Sequence, residues 1–274
     1  MADTMDQTNT WDHTNIGGQT NTADPTPVIT GTAAPTPANA QPQVMAARAV
    51  GASKVYGEKS TQVVALDDVT VDFPKGRFTS VMGPSGSGKS TLMHCLAGLD
   101  TLTSGEIMIG DANLSTMSEK ELTLLRRQKV GFVFQAFNLI PTLSARENIL
   151  LPLELAGDKP DQGWFDKVSS AVGLKDRLSH KPDELSGGQQ QRVAVSRALA
   201  SRPEIIFADE PTGNLDSRSA EMIINLFDRL SQQGKTILIV THDPSLTKFT
   251  HNTITLADGL VVDNSVAPEL SHRG

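Results

Sequence analysis

GPSGSGKS, residues 83–90, sits between RFTSVM (77–82) and the run KSTLMHCLAGL (89–99). The upstream flank is a short apolar run of strand character. The downstream one has helical spacing and stops near Gly98. Strand, glycine-rich loop and helix form the setting that G-x-x-x-x-G-K-[ST] requires. Gly83, Gly88, Lys89 and Ser90 fill its fixed positions. Gly86 and Gly88 let backbone N–H groups turn inward around two phosphates, and the helix start adds partial positive charge. Lys89 reaches the β- and γ-oxygens, and Ser90 offers a hydroxyl to Mg²⁺. Gly83, Pro84, Ser85, Gly86, Ser87, Gly88, Lys89, Ser90 and Thr91 are therefore the expected contacts to the phosphates of a nucleotide.

EIIFADE (204–210) is a continuous apolar strand that ends in two acids. A buried strand seldom ends so without a cation nearby. Asp209 is expected to hold Mg²⁺, directly or through water. Glu210 points to the other side of the strand by the period of two, and is placed to orient or deprotonate an attacking water.

The rest of the chain builds a frame around these pieces. VVALDDVTVDF (63–73) and KVGFVFQ (129–135) read as strands, and KTILIVTHD (235–243) as another buried strand. SRSAEMIINLFDRLSQQG (217–234) is an amphipathic helix with a glycine stop. TITLADGLVVD (253–263) is a hairpin turning at Asp258–Gly259. Residues 142–200 are mostly helical, with breaks expected at Pro152, Gly157–Pro160 and Pro182. Short apolar strands alternating with helices predict an α/β fold, with a parallel sheet covered on both faces and a helical insertion. Structured patterning is read from Val50 onward.

A second glycine-bearing stretch, LSGGQ (185–189), runs into the helical pattern QQRVAVSRAL. One ATP-sized domain has no use for two cradles of its own. LSGGQ resembles the signature of the ATP-binding cassette (ABC) ATPases, and the resemblance spans about Ser53 to Val262. Further motifs fall in that family's order: Tyr56 in KVYG, Gln135 in VFQ, Asp216 in GNLD and His242 in VTHD. The resemblance implies a P-loop NTPase of ABC type: a mixed-sheet core, a helical subdomain at roughly 136–200 and an antiparallel β subdomain. It implies that Tyr56 stacks on adenine and that Gln135 contacts Mg²⁺ and joins the core to the helical subdomain. Asp216 lies in the loop after the glutamate, at the dimer interface, and His242 contacts the γ-phosphate. Glu210, His242 and Gln135 are the implied catalytic set, and Ser90, Gln135 and Asp209 the implied Mg²⁺ ligands. The family's cassettes dimerise head to tail around two ATP. Ser186, Gly187, Gly188 and Gln189 would then cradle the partner subunit's ATP, so that ATP holds the dimer closed.

Of 274 residues, 38% are hydrophobic, yet no apolar run approaches the roughly 18–20 residues that span a bilayer. No basic start followed by an apolar core is readable, so no signal peptide is expected. Cys95, the single cysteine, excludes an internal disulfide and fits a reducing compartment. The net charge is −7, but residues 1–44 carry Asp3, Asp6, Asp12 and Asp24 and no Lys or Arg. The remainder is close to neutral, which argues against a nucleic-acid partner, and LRRQK (125–129) reads as a solvated helix end. Residues 1–45 are rich in Thr, Pro, Ala and Asn and read as a disordered, low-complexity tail ahead of an ABC ATPase domain at 46–274. Met45 stands where the pattern changes and is a candidate translation start.

A phosphotransferase of the kinase type would not need LSGGQ. A soluble ABC ATPase of the DNA-linked type would carry a long heptad arm, and one of the translation type a second cassette. Within transport, GFVFQAFNLIPTLSARENILLPLELAG (131–157) looks like the group that serves macrolide export, lipoprotein release and cell division. Polar amino-acid importers share FQ-FNL and are the runner-up. The implied partners are a second ATPase subunit and an integral membrane permease, with the chain peripheral on the cytoplasmic face of the cell membrane. Phe137, Asn138, Leu139, Ile140 and Leu143 are the expected coupling surface, divided between inward packing and contact with a permease helix. Leu139→Asp is expected to uncouple hydrolysis from the permease.

Overall fold

A computed structural model of the chain describes residues 43–266. The predicted tail therefore lies almost wholly outside the described residues. Its last residue, Met45, already opens a strand, five residues before the expected start of structure. The strands are β1 (Met45–Tyr56), β2 (Val63–Pro74), β3 (Phe78–Met82), β4 (Ser104–Ile109), β5 (Ala112–Asn113), β6 (Val130–Val133), β7 (Ile205–Asp209), β8 (Thr236–Val240), β9 (Asn252–Ala257) and β10 (Leu260–Val266). The helices are α1 (Lys89–Leu96), α2 (Glu119–Lys129), α3 (Ala145–Ala156), α4 (Gln162–Ala171), α5 (Gly187–Leu199) and α6 (Ser217–Gln232).

Two sheets form. One is six-stranded in the order β10-β9-β3-β8-β7-β6, parallel except where β10 returns along β9. The other is antiparallel, in the order β2-β1-β4-β5. The core strands are apolar throughout because both faces are covered. Ile205 and Phe207 of β7, with Leu238 and Val240 of β8, face Leu92, Met93, Cys95 and Leu96 of α1 and the antiparallel sheet. Ile206, Ala208, Ile237 and Ile239 alternate to the opposite face, against Ile223, Ile224, Phe227 and Leu230 of α6. Cys95 is thus a packing residue whose thiol is pushed up to about 12 by burial.

The strand β1 escaped the propensity reading for a physical reason. Its inward positions, Ala47, Ala49 and Ala52, are fully buried alanines. Alanine is a poor strand former, but its small side chain suits close packing against the neighbouring layer. The hairpin turn is as expected: Asp258 (φ 49°) and Gly259 (φ 78°) both take the left-handed backbone that a two-residue turn needs. The break expected at Pro152 does not occur. Pro152 lies inside α3, which loses one backbone bond there and runs on to Ala156, where Gly157 at φ 73° ends it. LRRQK is the end of α2, as expected. The helices α3, α4 and α5 pack on one another around Ile149, Phe165, Leu174 and Val193.

Candidate active site

The loop 83–90 joins β3 to α1. Gly88, at φ 97°, is the residue before the helix, and no side chain caps α1. The first-turn N–H groups are thus left to a ligand. Gly86 takes φ 80°, and nothing lies within 4 Å of where its Cβ would stand, so the loop is open on that side. Lys89, nearly buried, turns its Nζ back to donate to the carbonyl of Pro84 at 2.6 Å and to Ser87 Oγ at 3.4 Å. Burial lowers its pKa, against the opposing pull of Glu210 and Asp209.

The tip of β7 comes to the same place. Ser90 Oγ donates to Asp209 Oδ1 at 3.0 Å. His94, one turn along α1, sets its Nε2 3.6 Å from Asp209 Oδ2. Burial raises the Asp209 pKa, with Ser90 and His94 pulling the other way. Glu210 sits at φ 43°, a left-handed backbone that is uncommon for a side chain of this size. Its Oε2 accepts from Gln135 Nε2 at 3.4 Å, and its Oε1 lies 3.4 Å from Nδ1 of the exposed His242. The structure therefore brings together Lys89, Ser90, Asp209, Glu210, Gln135 and His242 from four separate stretches. Ser90, Asp209 and Gln135 are a sparse set of oxygen donors. That suits Mg²⁺, which keeps several waters and takes phosphate oxygens as further ligands.

Tyr56 ends β1 and is 41% exposed. Its hydroxyl donates to Asp100 Oδ2 at 2.6 Å, and Lys54 Nζ lies 4.8 Å from the ring centroid. Burial, then the bond to Asp100, pushes the phenol up to about 12. Burial works against the Asp100 carboxylate, but Lys54, Tyr56 and the Thr101 N–H together hold its pKa below the usual value. Lys54 and Asp100 brace Tyr56, and the sequence reading missed both. The K-x-Y alternation on one strand was the available signal for Lys54. For Asp100, 44 residues away, there was none.

Among the described residues no hydrogen bond joins Ser186–Gln189 to loop 83–90. Ser186 precedes α5, its Oγ accepts from the Gln189 N–H at 3.3 Å, and Gln189 Oε1 accepts from the Ser186 N–H at 2.9 Å. Gln189 is thus engaged as a helix cap, and the Ser186 O–H remains available as a donor among the described residues. A Cβ on Gly188 would fall 2.4 Å from Ser219 Oγ and 2.9 Å from Ser219 Cβ. Glycine is required there for α5 to pack on the start of α6, whatever else it meets. Gly187 is more open, with Asn214 O and the Phe137 ring both 3.9 Å from its would-be Cβ. Asp216 caps α6 by accepting from the Ser219 N–H at 3.0 Å, and the Ser219 hydroxyl together with that N–H lowers its pKa.

Of the expected coupling residues, Leu139 packs against the α3–α5 cluster, while Ile140 stays 39% exposed and Asn138 is exposed. Leu139→Asp would put a carboxylate against that apolar cluster, so Ile140 is the cleaner probe of an external contact.

The family model described as ABC transporter matches residues 66–213. The lipoprotein-releasing system ATP-binding protein of Aquifex aeolicus is 46% identical over 200 residues, 72% of this chain and 89% of that protein. A macrolide export ATP-binding/permease protein of Marinobacter nauticus is 43% identical over 217 residues. That match takes in 78% of this chain but only 34% of that protein. A dimeric ATP-binding cassette of Methanocaldococcus jannaschii, solved in a post-hydrolysis state with ADP and Pi, superposes with a TM-score of 0.76 at 40% identity. The superposition covers 82% of this chain and all of that one. On the strength of these matches and of the fold and loops described above, the chain belongs to the ABC transporter family, as one of its ATP-binding, ATP-hydrolysing cassettes.

Proposed function

We propose that the chain is the ATPase subunit of a membrane transporter of the export or extracytoplasmic-release kind, working as a head-to-tail dimer on the cytoplasmic face of the membrane. The observation that carries the chemistry is the convergence on Glu210: one carboxylate oxygen meets Gln135 and the other His242, beside the loop that holds Lys89 and Ser90. ATP would lie with its phosphates in the loop 83–91 and its adenine on Tyr56. Lys89 gives up the Pro84 carbonyl for the β- and γ-oxygens. Mg²⁺, held by Ser90, Asp209 and Gln135, would neutralise charge between the β- and γ-phosphates. Glu210 takes the proton of the attacking water, and His242 donates to the γ-phosphate.

The second cradle then serves the other subunit's nucleotide. Ser186 donates its hydroxyl, and α5 directs its N-terminus at the anion. ATP favours the closed dimer and ADP does not, so hydrolysis opens it and moves a permease. The match to a lipoprotein-releasing ATPase over most of its length supports the export-like reading over an importer. No described helix is long and apolar enough to cross a membrane.

The test is co-purification. The Glu210→Gln chain, held with ATP and drawn from host membranes, is expected to bring down a permease with few spans and a large outer domain. Ile140→Asp in the same background should lose the permease and keep nucleotide binding, and Ile140→Asp in the parent chain should keep basal hydrolysis. A multi-span permease with a solute-binding protein, or ribosomes or DNA, would refute the export-like assignment.

A further inference from the structure

Two stretches beside the site hold non-glycine residues in left-handed backbone. One is Phe137 (φ 54°) with Asn138 (φ 49°), just beyond Gln135; the other is Glu210 itself (φ 43°). Such conformations persist only where the surroundings hold them. Glu210 is further restricted because Pro211 follows it.

Both stretches are pinned by one helix, α5. Gln191 is fully buried, and its Nε2 donates to the carbonyl of Pro211 at 2.7 Å. Six residues on, Arg197 donates to Asn138 O at 2.5 Å and to Phe137 O at 2.8 Å. Arg197 has no carboxylate partner among the described residues. Its charge is satisfied by two carbonyls of backbone that no ladder pairs. Gln191 leaves its own Oε1 buried and without a partner among the described residues. A buried amide with one empty end contributes little to a core. What it does accomplish is to fix the residue that follows Glu210.

We propose that Gln191 and Arg197 are positioning residues for ATP hydrolysis. Neither touches the nucleotide; α5 acts as a strut that sets Glu210 through Pro211 and sets Gln135 through Phe137 and Asn138. This rests on the reading of Glu210 as the group that activates water. Because Ser186 caps the start of α5, the helix facing the partner's nucleotide is also the one that aligns this chain's own carboxylate.

Gln191→Met keeps the length of the side chain and removes the donor and the unpaired acceptor together, so the fold is expected to survive. Arg197→Lys keeps the charge but has no fork for two carbonyls. The measurements are kcat counted per bound nucleotide, the ATP Kd and the Tm, with Glu210→Gln alongside. The expected result for Gln191→Met is a kcat about tenfold lower, with the Kd within about twofold of the parent, and for Arg197→Lys a smaller fall of the same kind. Counting per bound nucleotide keeps the result readable where part of a preparation misfolds. Parent-level kcat in both variants, with Glu210→Gln inactive, overturns the proposal alone. A kcat that falls only in step with weakened ATP binding also overturns it, since that marks a merely structural role. Normal turnover by Glu210→Gln would instead defeat the assignment of the base, and the proposal with it.

Discussion

Glu210→Gln is expected to bind ATP as the parent chain does and to hydrolyse it at least about a hundredfold more slowly, as loss of a general base entails. The substitution keeps the side-chain shape and its place at the tip of β7. It removes the charge that draws the proton from water. The Gln135 contact at 3.4 Å and the His242 contact at 3.4 Å both end on oxygens of this carboxylate, and an amide keeps only one of them. ATP, bound but not cleaved, should accumulate a closed dimer visible by light scattering. Single-turnover assay of bound ATP gives the rate, and parent-like turnover would remove Glu210 from its assigned role.

Lys89→Ala should produce the other large loss, this time in binding. Lys89 is 7% exposed, and its Nζ already lies within the loop, on Pro84 and Ser87. A hydrogen bond to a charged group contributes about 1.5–3 kcal/mol, so ATP affinity should fall roughly 10- to 150-fold. Isothermal titration with ATP reads this directly. Affinity within about twofold of the parent would show that the first-turn N–H groups of α1 carry the phosphates without the ammonium.

These two sites were legible because their chemistry dictates spacing. A phosphate cradle needs glycine, lysine and serine in one fixed order between a strand and a helix, and 83–90 supplies it. The core strands were legible because burial on both faces leaves continuous apolar runs, as in Ile205–Asp209. The strand β1 was not, since its inward residues are alanines chosen by close packing rather than by propensity. Ser118, Ser144 and Ser186 each begin a Ser-x-x-Glu/Gln cap, and all three are visible in the sequence. In SGGQ this gives the serine and glutamine a folding role before any nucleotide is considered. Gly188 has one as well, set by Ser219, which lies 31 positions away in the chain and cannot be inferred from spacing. Asp100, Gln191 and Arg197 were invisible for the same reason: each acts on backbone or a hydroxyl brought near only by the fold. The misjudged break at Pro152 came from reading proline as a stop, when a packed helix tolerates the loss of one bond.

The two-cradle reading is tested most directly by Ser186→Arg placed in the Glu210→Gln chain, with ATP affinity and mass in solution measured on the same sample. ATP binding should match that of Glu210→Gln alone, because among the described residues no hydrogen bond ties Ser186 to loop 83–90, while the ATP-dependent dimer should be absent. A dimer that still forms with ATP would contradict the assignment of Ser186–Gly188 to the partner's nucleotide.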